Sequence, residues 1–165
     1  MQDSSSYSKD YPVSWDEMHR SSKLLAWRLL EKNNNWKGVA AVTRGGLVPA
    51  CVVARELNIR LVETICIVSY DHQDQSGAKV LKDTSFASDG EGWLVIDDLV
   101  DTGNTFKLIR EMMPKAHYAA VYGKPQGIPT VDTFITEVSQ DTWIFFPWDL
   151  EYQFRTPLAD QTKKD

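Results

Sequence analysis

Three aspartates, Asp97, Asp98 and Asp101, follow an apolar run in the second half of the chain. The run, residues 93–96, contains β-branched side chains and predicts a buried strand. Ligands of open α/β sheets bind beyond the carboxyl ends of the strands, and unpaired carboxylates are costly to bury in a core. The acids therefore predict a polar site at the end of this strand. The alternative interpretation is that Asp97 and Asp98 are a pair of solvated acids of a turn.

A glycine turn follows the acids without a gap. It spans residues 102–105, Thr-Gly-Asn-Thr, and the apolar spacing of residues 106–113 predicts a helix that ends before Pro114. The junction of strand, turn and helix directs backbone N–H groups and the positive end of the helix dipole toward one point, and the threonine hydroxyls add donors. We expect this junction to bind a phosphate group.

A second glycine turn, Arg44-Gly45-Gly46, also lies between a predicted strand, residues 38–43, and a predicted helix, residues 47–57. Alone, it is equally compatible with a structural turn, because glycine is the usual residue of tight turns. In a parallel sheet, however, both turns emerge on the same edge, so Arg44 and its neighbouring N–H groups are expected to face the first turn. A substrate with phosphate groups at both ends would bridge the two turns.

Two other interpretations of these residues are disfavoured by fold or by motif. The tripeptide Asp101-Thr102-Gly103 also occurs in aspartic proteases, but that fold is all-β, whereas here the tripeptide precedes a predicted helix. No glycine-rich segment ends in Gly-Lys-Ser/Thr, so the chain has no P-loop. Cleavage of nucleoside triphosphates therefore has no motif in this sequence.

The rest of the chain alternates strand and helix, which predicts an α/β fold with a central, mainly parallel sheet flanked by helices. Ser14 and Glu17 form a capping box that begins a helix, and the asparagines at positions 33–35 end it. Further strands are predicted for residues 61–70 and 117–122, with β or irregular structure for residues 131–138 and 143–148.

Residues 71–92 form a polar connection that is longer than an ordinary loop. Such a length indicates either a mobile lid or a strand pair that the pattern hides. We favour a lid that carries a short hairpin around residues 78–81.

The composition fits one globular domain, residues 11–155, between a flexible serine-rich lead-in at residues 1–10 and a polar tail at residues 156–165. The net charge of −5 disfavours a nucleic-acid partner, which requires a basic face. The lead-in lacks the apolar core of a signal peptide, and no apolar run approaches the roughly 20 residues of a membrane-spanning helix. We therefore expect a cytoplasmic protein.

Cysteines and histidines give no indication of a metal site. Cys51 and Cys66 both lie in apolar segments and are expected to be buried free thiols. His19, His72 and His117 are dispersed, and none has the spacing of metal ligands. Each is expected to have an ordinary packing or surface role.

The two glycine turns carry a resemblance to a known family. Residues 95–105 resemble the phosphoribosyl pyrophosphate motif of type I phosphoribosyltransferases, and residues 43–46, Thr-Arg-Gly-Gly, resemble their pyrophosphate loop. The likeness to the bacterial branch that acts on xanthine and guanine extends from about residue 15 to residue 149. It implies a type I phosphoribosyltransferase fold with a lid, about residues 71–92, and a small C-terminal hood, about residues 125–155.

The resemblance implies transfer of a phosphoribosyl group from phosphoribosyl pyrophosphate to N9 of guanine or xanthine, and more weakly of hypoxanthine, for purine salvage. Asp97 and Asp98 would bind the ribose hydroxyls, and Asp98 would hold Mg²⁺ beside the pyrophosphate. It also implies a cis peptide bond ahead of Gly45. The further contacts that it implies to phosphoribosyl pyrophosphate come from Arg44, Gly45, Leu99, Val100, Asp101, Thr102, Gly103, Asn104 and Thr105.

The resemblance also assigns four contacts to the purine. Asp101 would be the general acid and base at purine N7. Lys124 would donate to the oxygen at the six-position, although composition alone would place a lone lysine at the surface. Trp143 would stack on the base, and the backbone of Ile144 would bind the substituent at the two-position.

The chain departs from the family pattern in the lid, where Ser76 replaces an arginine that contacts pyrophosphate, so Lys79 or Lys82 becomes the candidate counter-charge. Two alternative functions stay open, a hypoxanthine-guanine phosphoribosyltransferase and a non-catalytic sensor of phosphoribosyl pyrophosphate. The resemblance further implies a homotetramer and peripheral attachment to the cytoplasmic face of the bacterial inner membrane.

Overall fold

The computed structural model describes residues 7–70, 77–82, 87–149 and 157–161. The described residues form the helices and strands given below, together with one short 3₁₀ helix, Ile128–Thr130. In chain order these are β1 (Lys9–Pro12), α1 (Trp15–Lys32), β2 (Gly38–Thr43), α2 (Leu47–Glu56), β3 (Val62–Tyr70), β4 (Gly77–Lys82), β5 (Trp93–Val100), α3 (Asn104–Met112), β6 (His117–Gly123), β7 (Thr133–Glu137), β8 (Thr142–Phe145) and α4 (Leu158–Gln161).

The chain divides into two compact units. The first contains residues 1–18 and 141–165, and the second contains residues 19–140. The second unit holds a six-stranded sheet in the order β4-β3-β2-β5-β6-β7. All neighbouring strands of this sheet are parallel except β3 and β4, which are antiparallel. The predicted α/β fold with a mainly parallel sheet is confirmed.

The central strands of the second unit are buried on both faces, as their continuous apolar sequences require. In β2, for example, Val39 and Ala41 alternate with Ala40 and Val42, and all four are buried. Helix α3 contributes the ring of Phe106, which meets the ring of Tyr118 edge-on at 5.2 Å between centroids. The core cluster on this face contains Ala40, Val42, Ile65, Trp93, Val95, Phe106, Ile109, Met113, Tyr118 and Ala120.

Strand β5 is longer than the sequence predicts. The apolar run ends at Ile96, but the strand continues to Val100 because β6 remains paired with it as far as the Val100–Gly123 partners. Asp97 and Asp98 therefore lie in the last part of a paired strand and not in a loop. The interpretation that they are solvated acids of a turn is wrong, since both side chains are half-buried within a strand.

The connection after β3 contains a strand that the sequence pattern obscures. Strand β4 lies at the edge of the sheet and pairs antiparallel with β3, from Tyr70 opposite Gly77 to Cys66 opposite Lys82. Residues 78–81 lie inside β4, so the expectation of a separate short hairpin around them is wrong, because this segment pairs with β3 instead. Residues 71–76 and 83–86, which make up much of the predicted lid, lie outside the described residues.

The first unit is built on a two-stranded parallel ladder between β1 and β8, with Tyr11 opposite Ile144. Residues 9 and 10 fall in the segment that composition predicts to be flexible, so that prediction is wrong for them, because they pair with β8. Within this unit the rings of Phe146 and Trp148 stack at 4.9 Å between centroids. The predicted polar tail includes the exposed four-residue helix α4.

The two cysteines are free, as expected, but neither is buried. Cys51 is exposed because the buried positions of α2, Pro49, Ala50, Val53 and Ala54, lie on the other side of that helix. Cys66 is half-buried in β3. Among the described helices, none has the length and apolar character that spanning a membrane requires.

Candidate functional site

The two glycine turns of the second unit lie on the same edge of the sheet, as predicted. Strands β2 and β5 are parallel neighbours, and each turn follows the carboxyl end of its strand. The backbone of Gly45 approaches the carboxylate of Asp98 so closely that a Cβ atom on Gly45 would lie 2.1 Å from Asp98 Oδ2. Only glycine allows this approach, so the turn at residues 44–46 lies directly against the acidic end of β5.

The turn at residues 44–46 begins with a cis peptide bond between Thr43 and Arg44. The resemblance implies a cis bond before Gly45, and in the structure the cis bond precedes Arg44, one position earlier in the chain. The Thr43 hydroxyl donates to the carbonyl oxygen of Ile65 on the neighbouring strand at 3.3 Å. The side chain of Arg44 is exposed, so it is accessible to an anionic ligand.

The adjacent acids Asp97 and Asp98 share an electrostatic conflict. The N–H of Asp98 donates to Asp97 Oδ1 at 2.9 Å, and the N–H of Leu99 donates to Asp98 Oδ1 at 2.7 Å. Burial raises the pKa of Asp97 well above its usual value, and the negative charge of Asp98 raises it further. Two hard oxygen ligands beside each other therefore favour an incoming cation or hydroxyl donors.

The loop after β5 has the geometry of an anion site at a helix N-terminus. Gly103 has a φ of +84° and precedes the first residue of α3, Asn104. The carbonyl of Gly103 accepts from the N–H of Lys107 at 2.9 Å, which starts the helix. A Cβ atom at Gly103 would lie 2.6 Å from Thr130 Cγ2, so space as well as φ requires glycine here. Thr102 and Asn104 are exposed and Thr105 is half-buried, so this loop is open to a ligand.

Asp101, the third acid, has a different environment from the adjacent pair. Its Oδ2 accepts a hydrogen bond from Lys124 Nζ at 3.0 Å, and its Oδ1 accepts one from Gln140 Nε2 at 2.7 Å. The side chain of Lys124 is only 2% exposed, whereas that of Asp101 is 37% exposed. A buried ammonium group needs a charged or polar partner, and Asp101 supplies one.

The position of Lys124 follows from the end of β6. Its N–H donates to the carbonyl of Val100 at 2.9 Å, which joins the chain after β6 to the end of β5. Its carbonyl accepts from the N–H of Gly127 at 2.9 Å and closes a turn. The expectation from composition that a lone lysine lies at the surface is wrong, because this turn directs the side chain onto Asp101.

Sequence reasoning missed Gln140 altogether. Its amide oxygen accepts from the N–H of Gln126 at 3.1 Å while its amide nitrogen donates to Asp101. It stands in the polar segment between β7 and β8, where nothing in residue type or spacing sets it apart from its neighbours. No pattern in the sequence could have indicated this contact.

The other predicted base contacts lie in the first unit. Trp143 is half-buried in β8, and its ring meets that of Tyr7 at 5.0 Å and that of Phe145 at 6.3 Å between centroids. Ile144 is buried and belongs to the ladder with β1. Their contacts with a purine stay predictions.

The candidates for the missing lid arginine differ in their surroundings. Ser76 lies outside the described residues. Lys82 Nζ bonds to Glu63 Oε2 at 3.2 Å and to both the carbonyl and the hydroxyl of Thr64 at 3.1 and 3.0 Å. Lys79 is exposed on the same strand. Because Lys82 is already held by these partners, Lys79 is the better candidate for contact with an anion.

The candidate ligands for a metal ion in this site are the carboxylates of Asp97 and Asp98. Within residues 7–70, 77–82, 87–149 and 157–161, no three histidine, cysteine or acidic side chains are arranged to hold a metal ion. Asp97 and Asp98 provide carboxylate oxygens at one place, which suits a hard cation that takes its remaining ligands from substrate and water.

Comparison with known proteins agrees with this geometry. The phosphoribosyl transferase domain family matches residues 14–155. A xanthine-guanine phosphoribosyltransferase of Desulfotalea psychrophila is 58% identical over 98% of this chain and 99% of that protein. One of Nitratidesulfovibrio vulgaris is 61% identical over 96% of each chain.

Solved structures show the same fold at low sequence identity. A purine phosphoribosyltransferase from Pyrococcus horikoshii superposes with a TM-score of 0.76 at 23% identity, covering 89% of this chain and 99% of that one. A xanthine-guanine-hypoxanthine phosphoribosyltransferase of Helicobacter pylori gives a TM-score of 0.73 at 22% identity, covering 86% and 94%. The family match over residues 14–155 and the full-length relatives show that the chain belongs to the phosphoribosyl transferase family and, within it, to the xanthine-guanine phosphoribosyltransferases.

Proposed function

We propose that this protein transfers the phosphoribosyl group of phosphoribosyl pyrophosphate to N9 of guanine or xanthine, and more weakly of hypoxanthine. The products are GMP, XMP or IMP and pyrophosphate, which is a purine salvage reaction. The observation that carries this proposal is the pair of Lys124 and Asp101 beside the anion loop of residues 101–105. The pair combines a donor for a 6-oxo group with a carboxylate that can exchange a proton.

The phosphoribosyl end of the substrate is assigned to the two glycine turns. Backbone N–H groups and hydroxyls of residues 101–105 bind the 5′-phosphate, since the loop ends at the N-terminus of α3. The exposed Arg44 and the backbone at Gly45 bind the pyrophosphate group. Asp97 and Asp98, between these turns, accept hydrogen bonds from the ribose hydroxyls.

The carboxylates of Asp97 and Asp98 fit a Mg²⁺ ion. The two carboxyl groups are neighbours at the end of β5, and carboxylate oxygens are the ligands that Mg²⁺ prefers. Asp98 is the proposed protein ligand. An ion held there would supply positive charge to offset that of the leaving pyrophosphate.

Proton transfer is assigned to Asp101. As the bond between C1′ and the pyrophosphate oxygen breaks, its electron pair leaves with pyrophosphate and the lone pair of N9 forms the new bond to C1′. The proton on N7 of the purine then passes to the Asp101 carboxylate. Lys124 donates to the oxygen at the six-position, so adenine, which has an amino group there, is disfavoured.

The proposal keeps Trp143 as the stacking residue and the backbone of Ile144 as the contact to the two-position. Both assignments rest on the family resemblance. A Trp143→Ala variant is expected to raise KM for guanine with little change in KM for phosphoribosyl pyrophosphate, because stacking contributes to base binding alone. An equal change in both constants would contradict this role.

The direct test is a spectroscopic assay of nucleotide formation with guanine, xanthine, hypoxanthine and adenine, each with and without Mg²⁺. We expect activity with guanine and xanthine, less with hypoxanthine, none with adenine, and none without the ion. Negligible use of xanthine beside efficient use of hypoxanthine would indicate a hypoxanthine-guanine enzyme. Binding of phosphoribosyl pyrophosphate without nucleotide formation would indicate a sensor.

Assembly and membrane attachment belong to the proposal in the same way. The family resemblance implies a homotetramer and a peripheral association with the cytoplasmic face of the inner membrane. Analytical ultracentrifugation would test the tetramer, and a monomeric mass at assay concentration would contradict it. Co-sedimentation with anionic vesicles would test the association, and complete recovery in the supernatant would contradict it.

A further inference from the structure

The Asp101 carboxylate is held from two sides by different donors. Gln140 Nε2 donates to Oδ1 at 2.7 Å, and Lys124 Nζ donates to Oδ2 at 3.0 Å. A side-chain carboxylate with donors on both oxygens has a fixed orientation, because rotation about its last torsion would break both bonds. The two donors are not equivalent. In the proposed reaction Lys124 also donates to the purine, whereas Gln140 has no substrate partner.

The orientation of the Gln140 amide is determined by its second contact. The backbone N–H of Gln126 donates to Gln140 Oε1 at 3.1 Å. The reversed amide would place an NH₂ group against that N–H and an oxygen against the Asp101 carboxylate, so both contacts would become repulsive. The amide nitrogen therefore has to face Asp101, and Gln140 cannot accept a proton from it.

Lys124 has a second role in the proposed reaction, whereas Gln140 has none. When the ammonium group of Lys124 donates to the six-position oxygen of a purine, its bond to Oδ2 of Asp101 is shared or lost. The bond from Gln140 to Oδ1 is unaffected by this change. Oδ2 then becomes the oxygen that faces N7 of the base.

We infer that Gln140 is a positioning residue, which holds Oδ1 of Asp101 so that Oδ2 exchanges the proton with purine N7. The inference rests on the proposed function, because it assigns a direction to a proton transfer that the function requires. The carboxylate keeps one donor throughout the reaction and does not have to reorient when Lys124 engages the base. Gln140 touches neither substrate in this account.

Two variants separate this role from simple packing. Gln140→Leu removes both polar contacts, and Gln140→Glu keeps an acceptor for the Gln126 N–H but loses the donor to Asp101. We expect both to lower kcat with guanine about 10–100-fold, since small misplacement of a catalytic group has effects of this size. KM for phosphoribosyl pyrophosphate should change less than about twofold. The matched control is Gln161→Leu, at an exposed glutamine of α4, with kcat unchanged.

The outcomes are distinguishable. Thermal unfolding of each variant shows whether it is folded. If Gln140→Leu does not fold, the kcat of Gln140→Glu tests the positioning role. Wild-type kcat in a folded Gln140→Glu variant would overturn the inference and leave the proposed function intact. An equal rise in KM for both substrates without loss of kcat would also overturn it. No turnover by the wild-type protein with any purine would overturn the proposed function and this inference together.

Discussion

The adjacent pair Asp97 and Asp98 and the neighbouring Asp101 occupy one strand end and its loop, yet their surroundings are opposite in sign. Asp97 borders a like charge, and burial together with that charge raises its pKa. Asp101 instead accepts hydrogen bonds from the ammonium of Lys124 and the amide of Gln140. Three acids of the same type thus have two different electrostatic roles within five residues.

The difference indicates which partner each acid is built to meet. A carboxylate beside another carboxylate gains most from an arriving cation or hydroxyl, which suits the metal and the ribose. A carboxylate that the protein has already compensated and oriented is suited to exchange a proton with a neutral base. In the proposed function, the repulsion between Asp97 and Asp98 marks the sugar end of the site, and the charge pairing of Asp101 marks the purine end.

The strongest test of the purine side is Asp101→Ala. This variant should lower kcat roughly 10²–10⁴-fold, the usual contribution of a general acid or base, while phosphoribosyl pyrophosphate still binds. Steady-state kinetics with guanine measure it. A loss below about threefold would reject the role. The control is Asp89→Asn, at an aspartate whose side chain is 41% exposed and pairs with Lys115.

The sugar side is tested by Gly45→Ala. The added Cβ atom would lie 2.1 Å from Asp98 Oδ2, so the carboxylate or the turn has to move. Displacement of this size should lower kcat/KM for phosphoribosyl pyrophosphate roughly 10²-fold. Unchanged kinetics in a variant with a wild-type unfolding midpoint would show that the close approach has no part in substrate binding.

Lys124→Ala should affect guanine use and phosphoribosyl pyrophosphate binding to different extents. Loss of the ammonium group should lower kcat/KM for guanine roughly 10–100-fold, because the six-position oxygen loses its donor. Binding of phosphoribosyl pyrophosphate, measured by calorimetry, should change much less. Equal weakening of both ligands would mean that Lys124 serves the whole site. Lys124→Met, which retains the buried stem, controls for loss of packing.

A smaller effect is expected for Asp98→Asn on the metal requirement. Replacing one of two adjacent carboxylates by an amide should raise the Mg²⁺ concentration for half-maximal activity by about tenfold, because a charged oxygen ligand is lost. Removing the ion with EDTA should stop nucleotide formation in both proteins. A Mg²⁺ titration curve that coincides with the wild type would contradict the assignment of the metal to Asp98.

The smallest effect concerns stability rather than catalysis. His117 Nε2 lies 2.8 Å from Thr133 Oγ1, and burial lowers the pKa of His117, while Asp132 raises it and Lys32 and Arg110 lower it. The unfolded chain therefore binds a proton more readily below pH of about 6.5, so stability is fully present above that pH and decreases as the pH falls. Urea unfolding at several pH values should show a steeper decrease for the wild type than for His117→Gln. The same dependence of stability on pH in both proteins would contradict a contribution from His117.

The part of the site that the sequence predicts is the part that is local. Residues 97–105 and the turn at Gly45 lie within single strand–turn–helix segments, so spacing alone places their backbone groups at the sheet edge. Even there, the apolar run predicts a strand that ends at Ile96, whereas β5 continues to Val100 because it stays paired with β6. Local pattern reports the elements but not how far their ladders extend.

The part that could not be predicted depends on contacts between distant positions. Lys124 and Gln140 stand 23 and 39 residues from Asp101, and both are residue types that usually lie at the surface. The ladder between β1 and β8 joins segments from opposite ends of the chain, so the composition of residues 1–10 gave no sign of it. Such contacts are visible only once the fold brings the segments together.

The central claim is that Lys124 and Asp101 act as one unit on the purine. A double-mutant cycle in kcat, measured at saturating guanine and phosphoribosyl pyrophosphate, tests it most directly. We predict that Lys124→Ala lowers kcat in the wild-type background but changes it less than about threefold in the Asp101→Ala background. The same fold loss in both backgrounds would show that the two side chains act independently and would contradict the account.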